Sequence, residues 1–253
     1  MKNIAIALSA ALLATAFGEA GAQATVKEDG QWRAALGMGA SHASGNTRET
    51  GLSLNADAVR ATASDKITLY GNAQYARSNG VTTGEQARMG GRYDRNLDAF
   101  WFGFAGLDLE RNRFANVKLR GLASLGLGRH LIRSEDTTLD VFAGVGYTAD
   151  RYVDPTWIDD ATRTSYGYAS LVVGEESTHR LTETTSFKQR LAIVPNLRNR
   201  GEYRANWDAG LAVAMSQTMN LNVGFALARN SEPGPGRKRT DTLLTTGISV
   251  KFD

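Results

Sequence analysis

Near the start of the chain, "SHASGNTRET" (41–50) sets His42 two residues from Ser44, and a hydroxyl beside an imidazole is the beginning of a nucleophile–base pair. Such a pair also needs a third group to fix the imidazole tautomer. The other histidines, His130 and His179, stand alone, with no H-x-x-x-H or H-E-x-x-H spacing to suggest a zinc site. Asp154, Asp159 and Asp160 form an acidic group that could offer carboxylate oxygens to a hard divalent cation, or simply be a solvated loop tip. The largest constellation is a scattered set of opposite charges: Arg33, Asp57, Arg88, Arg92, Asp94, Asp108, Glu110, Lys118, Arg120, Asp140, Lys188, Arg190, Arg204, Asp208, Asp241 and Lys251. What these residues do depends on the elements that carry them.

The chain opens with Lys2, an apolar run from Ile4 to Phe17 and then "GEAGAQA", the pattern of a secretory signal peptide. Ala22-Gln23-Ala24 places the cleavage before Thr25, and Ala20-Gly21-Ala22 would serve nearly as well. The expected division is a signal peptide over 1–24 and one domain over 25–253. Removing the signal takes away Lys2 and Glu19 and leaves the net charge at +3, too weak a balance to argue for nucleic acid. With no cysteine in an exported chain, neither disulfides nor thiolate metal sites are available. No motif calls for a cofactor. After the signal, no apolar run approaches the roughly 18 residues of a membrane helix, which leaves a membrane barrel open.

The hydrophobic period is two almost throughout. Trp32, Ala34, Leu36 and Met38 alternate with Arg33, Gly37 and Gly39; Leu139, Val141, Ala143, Val145 and Tyr147 alternate around Asp140. About twelve such segments follow one another, each near the roughly 9 to 11 residues that a tilted strand needs to cross a bilayer. Soluble strands usually run about 5 or 6. Short links at 63–65, 95–98, 133–136, 181–184 and 216–219 alternate with longer ones: "SNGVTTGE", "ERNRFAN", "ADRYVDPTWIDDATRTS", "PNLRNRGE" and "NSEPGPGRK". That is the layout of an outer-membrane barrel, short turns in the periplasm and long loops outside. On this reading 149–163 is the longest outer loop, and Pro155, Pro195, Pro233 and Pro235 all fall in outer loops. Two stretches resist a clean alternation, Phe100 to Phe104 and Ser165 to Val173; a bulge or interfacial aromatics would account for each. An open sheet edge in hydrocarbon would leave amides unsatisfied, so the sheet is expected to close. The final strand carries Ile248, Val250 and Phe252 on one face, followed by Asp253.

The pieces "SGNTRETGLSLNADA" (44–58), "LERNRFANVKLRGLASLGLGRHL" (109–131), "LTETTSFKQRLAI" (181–193) and "GRKRTDTLLTTGISVKF" (236–252) resemble a family of salt-induced outer-membrane proteins of Gram-negative bacteria, known chiefly as a domain of unknown function. The resemblance covers nearly the whole mature chain through the order and spacing of these pieces. It implies an outer-membrane β-barrel without an established enzymatic activity, and it supplies no catalytic residues.

Alternation then sorts the candidates. His42 and Ser44 share a face with Leu36 and Met38, so both point outward, where a lipid-hydrolysing pair would have to sit. The same face of the next strand offers Thr50, Leu52, Leu54 and Ala56, none able to orient the histidine, and Gly45-Asn46 marks a turn. The charged set falls on the opposite face. In a barrel of about twelve strands it lines a lumen, either as charge rings of a selective channel or as an interlocked Arg–carboxylate network that fills the bore. Both signs are interspersed, which favours the network. The expected molecule is a non-enzymatic, closed, antiparallel transmembrane β-barrel of the outer membrane, serving osmotic stress or passing small solutes. Its expected partners are membrane lipids and, during insertion, the barrel-assembly machinery. The alternatives are a lipid hydrolase through His42 and Ser44, and a secreted soluble β protein.

Overall fold

Twelve strands form the chain: β1 (Trp32–Ala43), β2 (Glu49–Ala61), β3 (Asp65–Ser78), β4 (Val81–Asn96), β5 (Trp101–Asn112), β6 (Val117–Arg133), β7 (Thr137–Ile158), β8 (Ala161–Arg180), β9 (Thr185–Pro195), β10 (Tyr203–Ala214), β11 (Met219–Asn230) and β12 (Thr240–Phe252). The computed structural model describes residues 24–43, 49–113, 115–158, 160–232 and 239–252. Each strand pairs antiparallel with its chain neighbours, and β1 pairs with β12, so the sheet is a closed barrel. The expected all-β class, closure and strand number are those observed. Ser44 and Asp159 lie outside the described residues, as do most of the signal segment, Pro233, Pro235 and Asp253. Among the described residues no helix is long and apolar enough to cross a membrane.

One end of the barrel repeats a single turn. Thr62, Asp98, Ser134, Thr182 and Ser216 each accept, through a side-chain oxygen, the backbone N–H three residues on, at 2.8–3.1 Å. These are the side-chain-to-backbone bonds that make Ser, Thr and Asp turn formers. At the other end the links differ from expectation. "SNGVTTGE" is a tight hairpin: Asn79 and Gly80 alone separate β3 from β4, with φ of 49° and 83°, as a type I′ turn requires. The segment 149–163 is mostly strand, because β7 runs for 22 residues to Ile158 and β8 for 20 from Ala161. Tyr152, Val153, Thr156, Trp157, Ile158 and Thr162 favour extended backbone, and the ladder is interrupted only between Arg151 and Thr156, where Pro155 has no N–H to offer. Pro155 and Pro195 therefore lie within strands, Pro195 as the last residue of β9.

Alternation decides what faces where. Leu36, Met38, Leu54, Met89, Leu125, Leu127, Val145 and Leu244 are all at least half exposed on the outside of the sheet. Inside, Phe102, Phe104, Phe142 and Val172 form a buried cluster. Each phenyl ring lies across from a glycine in register: Phe102 opposite Gly128, Phe104 opposite Gly126, and Phe142 opposite Gly174. A Cβ on Gly128 would stand 2.1 Å from the Phe102 ring, and one on Gly174 2.6 Å from the Phe142 ring, so only glycine admits these rings to the interior. The two stretches that resisted alternation are regular. Phe102, Phe104, Tyr166, Tyr168 and Val172 simply point inward. The ladder slips elsewhere, at several points towards strand ends; one is Lys118, where β6 spends two residues against one of β7 and Val117 is buried, 2% exposed.

Two further features frame the lumen. The segment before β1 crosses its inner mouth: Ala24 N–H donates to Asp57 at 3.0 Å, Gly30 N–H to Ala61 carbonyl at 2.8 Å, and Glu28 meets Arg133 at the end of β6, halfway round the barrel. Arg33 grips Asp29 through both guanidinium nitrogens, at 2.8 and 2.6 Å, and holds that carboxyl well below the usual carboxylate range. The closing seam is short. Pairing of β1 with β12 runs only from Ala34 opposite Phe252 to Gly39 opposite Gly247, whereas β1 pairs with β2 along its full length.

Candidate functional site: the lumen

The charged face of the strands gathers at three levels. At mid-height, Arg88 Nε donates to Asp108 Oδ2 at 2.7 Å, and the Tyr70 hydroxyl donates to the same carboxylate. Arg92 donates to Asp94 at 2.6 Å and lies against the rings of Phe104 and Phe142, 4.7 and 4.5 Å from their centres. Glu176 approaches it at 3.9 Å, and Lys66 approaches Asp94 at 3.5 Å. Arg190 stands across from Asp208 in the β9–β10 register, 5.8 Å from the Phe142 ring centre. A cavity of roughly 70 Å³ remains among Tyr70, Arg88, Arg92, Phe142, Arg190 and Asp208, room for little more than a few waters. A guanidinium on an aromatic face keeps its charge at a small desolvation cost, and each cation here has a carboxylate near it, so this band is both tight and densely charged with the two signs interleaved.

The outer level is a chamber. Arg120 forms a two-point pair with Asp150, at 2.7 and 3.0 Å, and reaches Glu110 at 3.6 Å. Arg204 Nη2 donates to Thr148 at 3.1 Å. With Tyr152, Trp157, Tyr168 and Glu202 they enclose about 300 Å³. Glu202, in the 196–202 link, accepts from Asn196 at 2.6 Å, and burial pushes its carboxyl above the ordinary range. The inner level holds Arg33 with Asp29, Asp57 with Ala24, and Asp140 with His130 Nδ1 at 2.7 Å.

The twelve principal lumen candidates thus spread over several levels and form no single ring. Arg88, Arg92, Asp108, Arg190 and Asp208 come together at mid-height, Arg120 and Arg204 in the chamber, and Arg33, Asp57 and Asp140 near the inner mouth. Lys188 lies on β9 opposite Gly210 and Thr178, and Lys118 is exposed at the β6 bulge. Of the remaining charges, Asp241 is opposite Ala228 and Lys251 opposite Ala35. Asp150 and Glu176 were missed. Both continue the even-numbered face of their strands; reading 149–163 as a loop hides Asp150. The phenyl rings were missed because the glycines that admit them lie on neighbouring strands.

His42 lies on β1 opposite Thr50 in the β1–β2 register. Asp154 has its backbone N–H and carbonyl both bonded to the Asn116 side chain, at 2.8 and 2.9 Å, which makes it part of a hairpin lock. Among the described residues no group of three or more His, Asp or Glu is placed to hold a metal ion.

A family model described as "Protein of unknown function, DUF481" matches residues 36–252. The chain belongs to that family. Within reach of it is the "Uncharacterized protein YdiY" of Escherichia coli K12, 25% identical over 211 residues that cover 82% of this chain and 79% of that protein. The chain is also similar to solved structures: the NanC porin (12% identity, TM-score 0.48, covering 87% of this chain and 99% of that one) and the translocator domain of the autotransporter NalP from Neisseria meningitidis (13%, 0.46, 88% and 88%). A third is an outer membrane channel from Pseudomonas putida F1 (12%, 0.46, 87% and 94%).

Proposed function

We propose that this family member is a non-enzymatic outer-membrane channel that passes small polar solutes slowly. The observation that carries the reading is the band at Arg88, Arg92 and Arg190: a charged, narrow waist beneath a wider polar chamber, inside a sheet whose outer face is apolar. Apolar surface on that scale is costly in water and at home in hydrocarbon, which supports a bilayer over a soluble life. Residence in the outer membrane, export through the 1–24 signal and insertion by the barrel-assembly machinery complete the reading. The resemblance to salt-induced proteins adds a role under osmotic stress. No residue is assigned a catalytic step.

Conductance of the purified protein in a planar bilayer tests it. Wild type should give small, discrete steps. Arg92→Ala, which empties the middle of the waist, should enlarge them about twofold, and Arg88→Glu should shift the preference towards cations. A bilayer that stays silent with both the wild type and Arg92→Ala removes the channel and leaves a filled scaffold.

A further inference from the structure

The outer chamber is a binding site in its own right. Its volume of about 300 Å³ is at the lower end of small-molecule pockets. Its walls alternate donors and acceptors: the Arg120–Asp150 pair, the Arg204 guanidinium and the Glu202 carboxylate, with Tyr168 and Trp157 beside them. Asp150 and Tyr168 are each 4% exposed and fixed by their surroundings, so this polar surface is built in advance of any ligand. Arg204 has spare capacity. Among the described residues it makes one hydrogen bond, to Thr148, and its Nε is buried without a partner. A guanidinium carries five N–H donors, and since Arg204 lines the chamber, those not used on Thr148 and not buried remain for an incoming oxygen.

The charges select the ligand class. Among the described residues four carboxylates, Asp150, Asp160, Glu202 and Glu232, line the chamber against two guanidiniums, so an anion meets net repulsion. A bare cation finds, among the described residues, no cluster of three acidic or imidazole ligands. A neutral polyhydroxylated molecule suits both signs at once, because each hydroxyl donates to a carboxylate and accepts from a guanidinium or phenol, and its C–H face can lie on an aromatic side chain. Trp157, 63% exposed on the overhang of β7, offers such a face at the rim. We propose that the outer chamber binds a neutral mono- or disaccharide through Arg204, Glu202 and Asp150, with Trp157 at its rim. The proposal deepens the channel reading by naming the solute class, and it rests on that reading for the chamber being open to the outside.

The full mature chain, refolded in detergent micelles, is titrated with maltose while its tryptophan fluorescence is followed; sodium glucuronate at matched ionic strength is the charged control. Maltose should give a saturable change that Trp157→Phe abolishes, and Glu202→Gln and Arg204→Gln should each raise the half-saturating concentration about tenfold. Glucuronate should give none. The heat-dependent gel shift of a closed barrel shows that each variant is folded, and Glu202→Gln, in a link outside the sheet, keeps the test alive if Arg204→Gln is not. The proposal is overturned by the absence of a saturable maltose signal, by glucuronate binding as tightly as maltose, or by half-saturation unmoved in a folded Glu202→Gln. Conductance on the same preparation separates the two readings: maltose binding with a silent bilayer sinks the channel and keeps the site, and conductance without maltose binding does the reverse.

Discussion

At the scale of single residues, the molecule relies on side chains that bond backbone at the inner turns. Asp98 is the charged member of the series. Its Oδ1 accepts the N–H groups of Phe100 and Trp101 at 2.7 and 2.8 Å, and those bonds hold its carboxyl below the usual range. A carboxyl whose folded pKa is depressed adds stability that is present above its unfolded pKa of about 4 and is lost as pH falls through the lower folded value. Asp98→Ala should therefore lower the unfolding midpoint at neutral pH, and the wild-type and variant curves should converge as the medium is acidified. Unfolding in urea from lipid vesicles, followed by tryptophan fluorescence across pH 2 to 7, checks this. The same turns were legible in the sequence. Thr62, Asp98, Ser134, Thr182 and Ser216 are acceptors placed three residues before the next strand's entry, and that pattern is local.

At the scale of elements, the interior depends on glycine on one strand making room for a ring or a chain on the next. Gly144 shows how little slack there is: a Cβ there would stand 2.2 Å from the Leu125 carbonyl oxygen, which is backbone and has nowhere to go. Gly71, on β3, would meet nothing closer than the Arg88 carbonyl oxygen at 3.9 Å. Gly144→Ala should cost about 1–3 kcal/mol in overpacking. Gly71→Ala should be neutral or stabilise by about 0.5 kcal/mol through the unfolded chain. Urea midpoints of the two variants give the comparison, and equal effects would contradict it. This dependence between strands is also why the sequence misled at Phe100–Phe104. A window on β5 shows aromatics next to glycines and cannot show that Gly126 and Gly128 stand opposite. The overhang of β7 and β8 was misread for a different reason. Residues 149–163 carry several charges and a proline, yet 149–151 continue the ladder between β6 and β8, and Thr156–Ile158 pair with Ala161–Arg163 past the last partner on β6, where neither face needs to be apolar.

At the scale of the whole molecule, the twofold alternation made the barrel, its strand number and its outward face legible, because one apolar face per strand leaves a closed sheet in lipid as the solution. The levels of the lumen were not legible, since they depend on how each strand is staggered against its neighbour. The stagger leaves the seam between β1 and β12 with the shortest run of partners. The chain has no cysteine, so a pair introduced there reports on the seam alone. Leu36→Cys with Val250→Cys places two thiols on directly opposed, outward-facing residues. Oxidation should raise the temperature at which the gel shift is lost, whereas the same pair at Leu125 and Val145, within the long β6–β7 ladder, should change it little. A hoop with one short joint comes apart at that joint. Heating this protein should release its first and last strands together, while the hairpins from β6 to β8 hold, so that a protease added near the transition trims both ends of the chain before it cuts the middle.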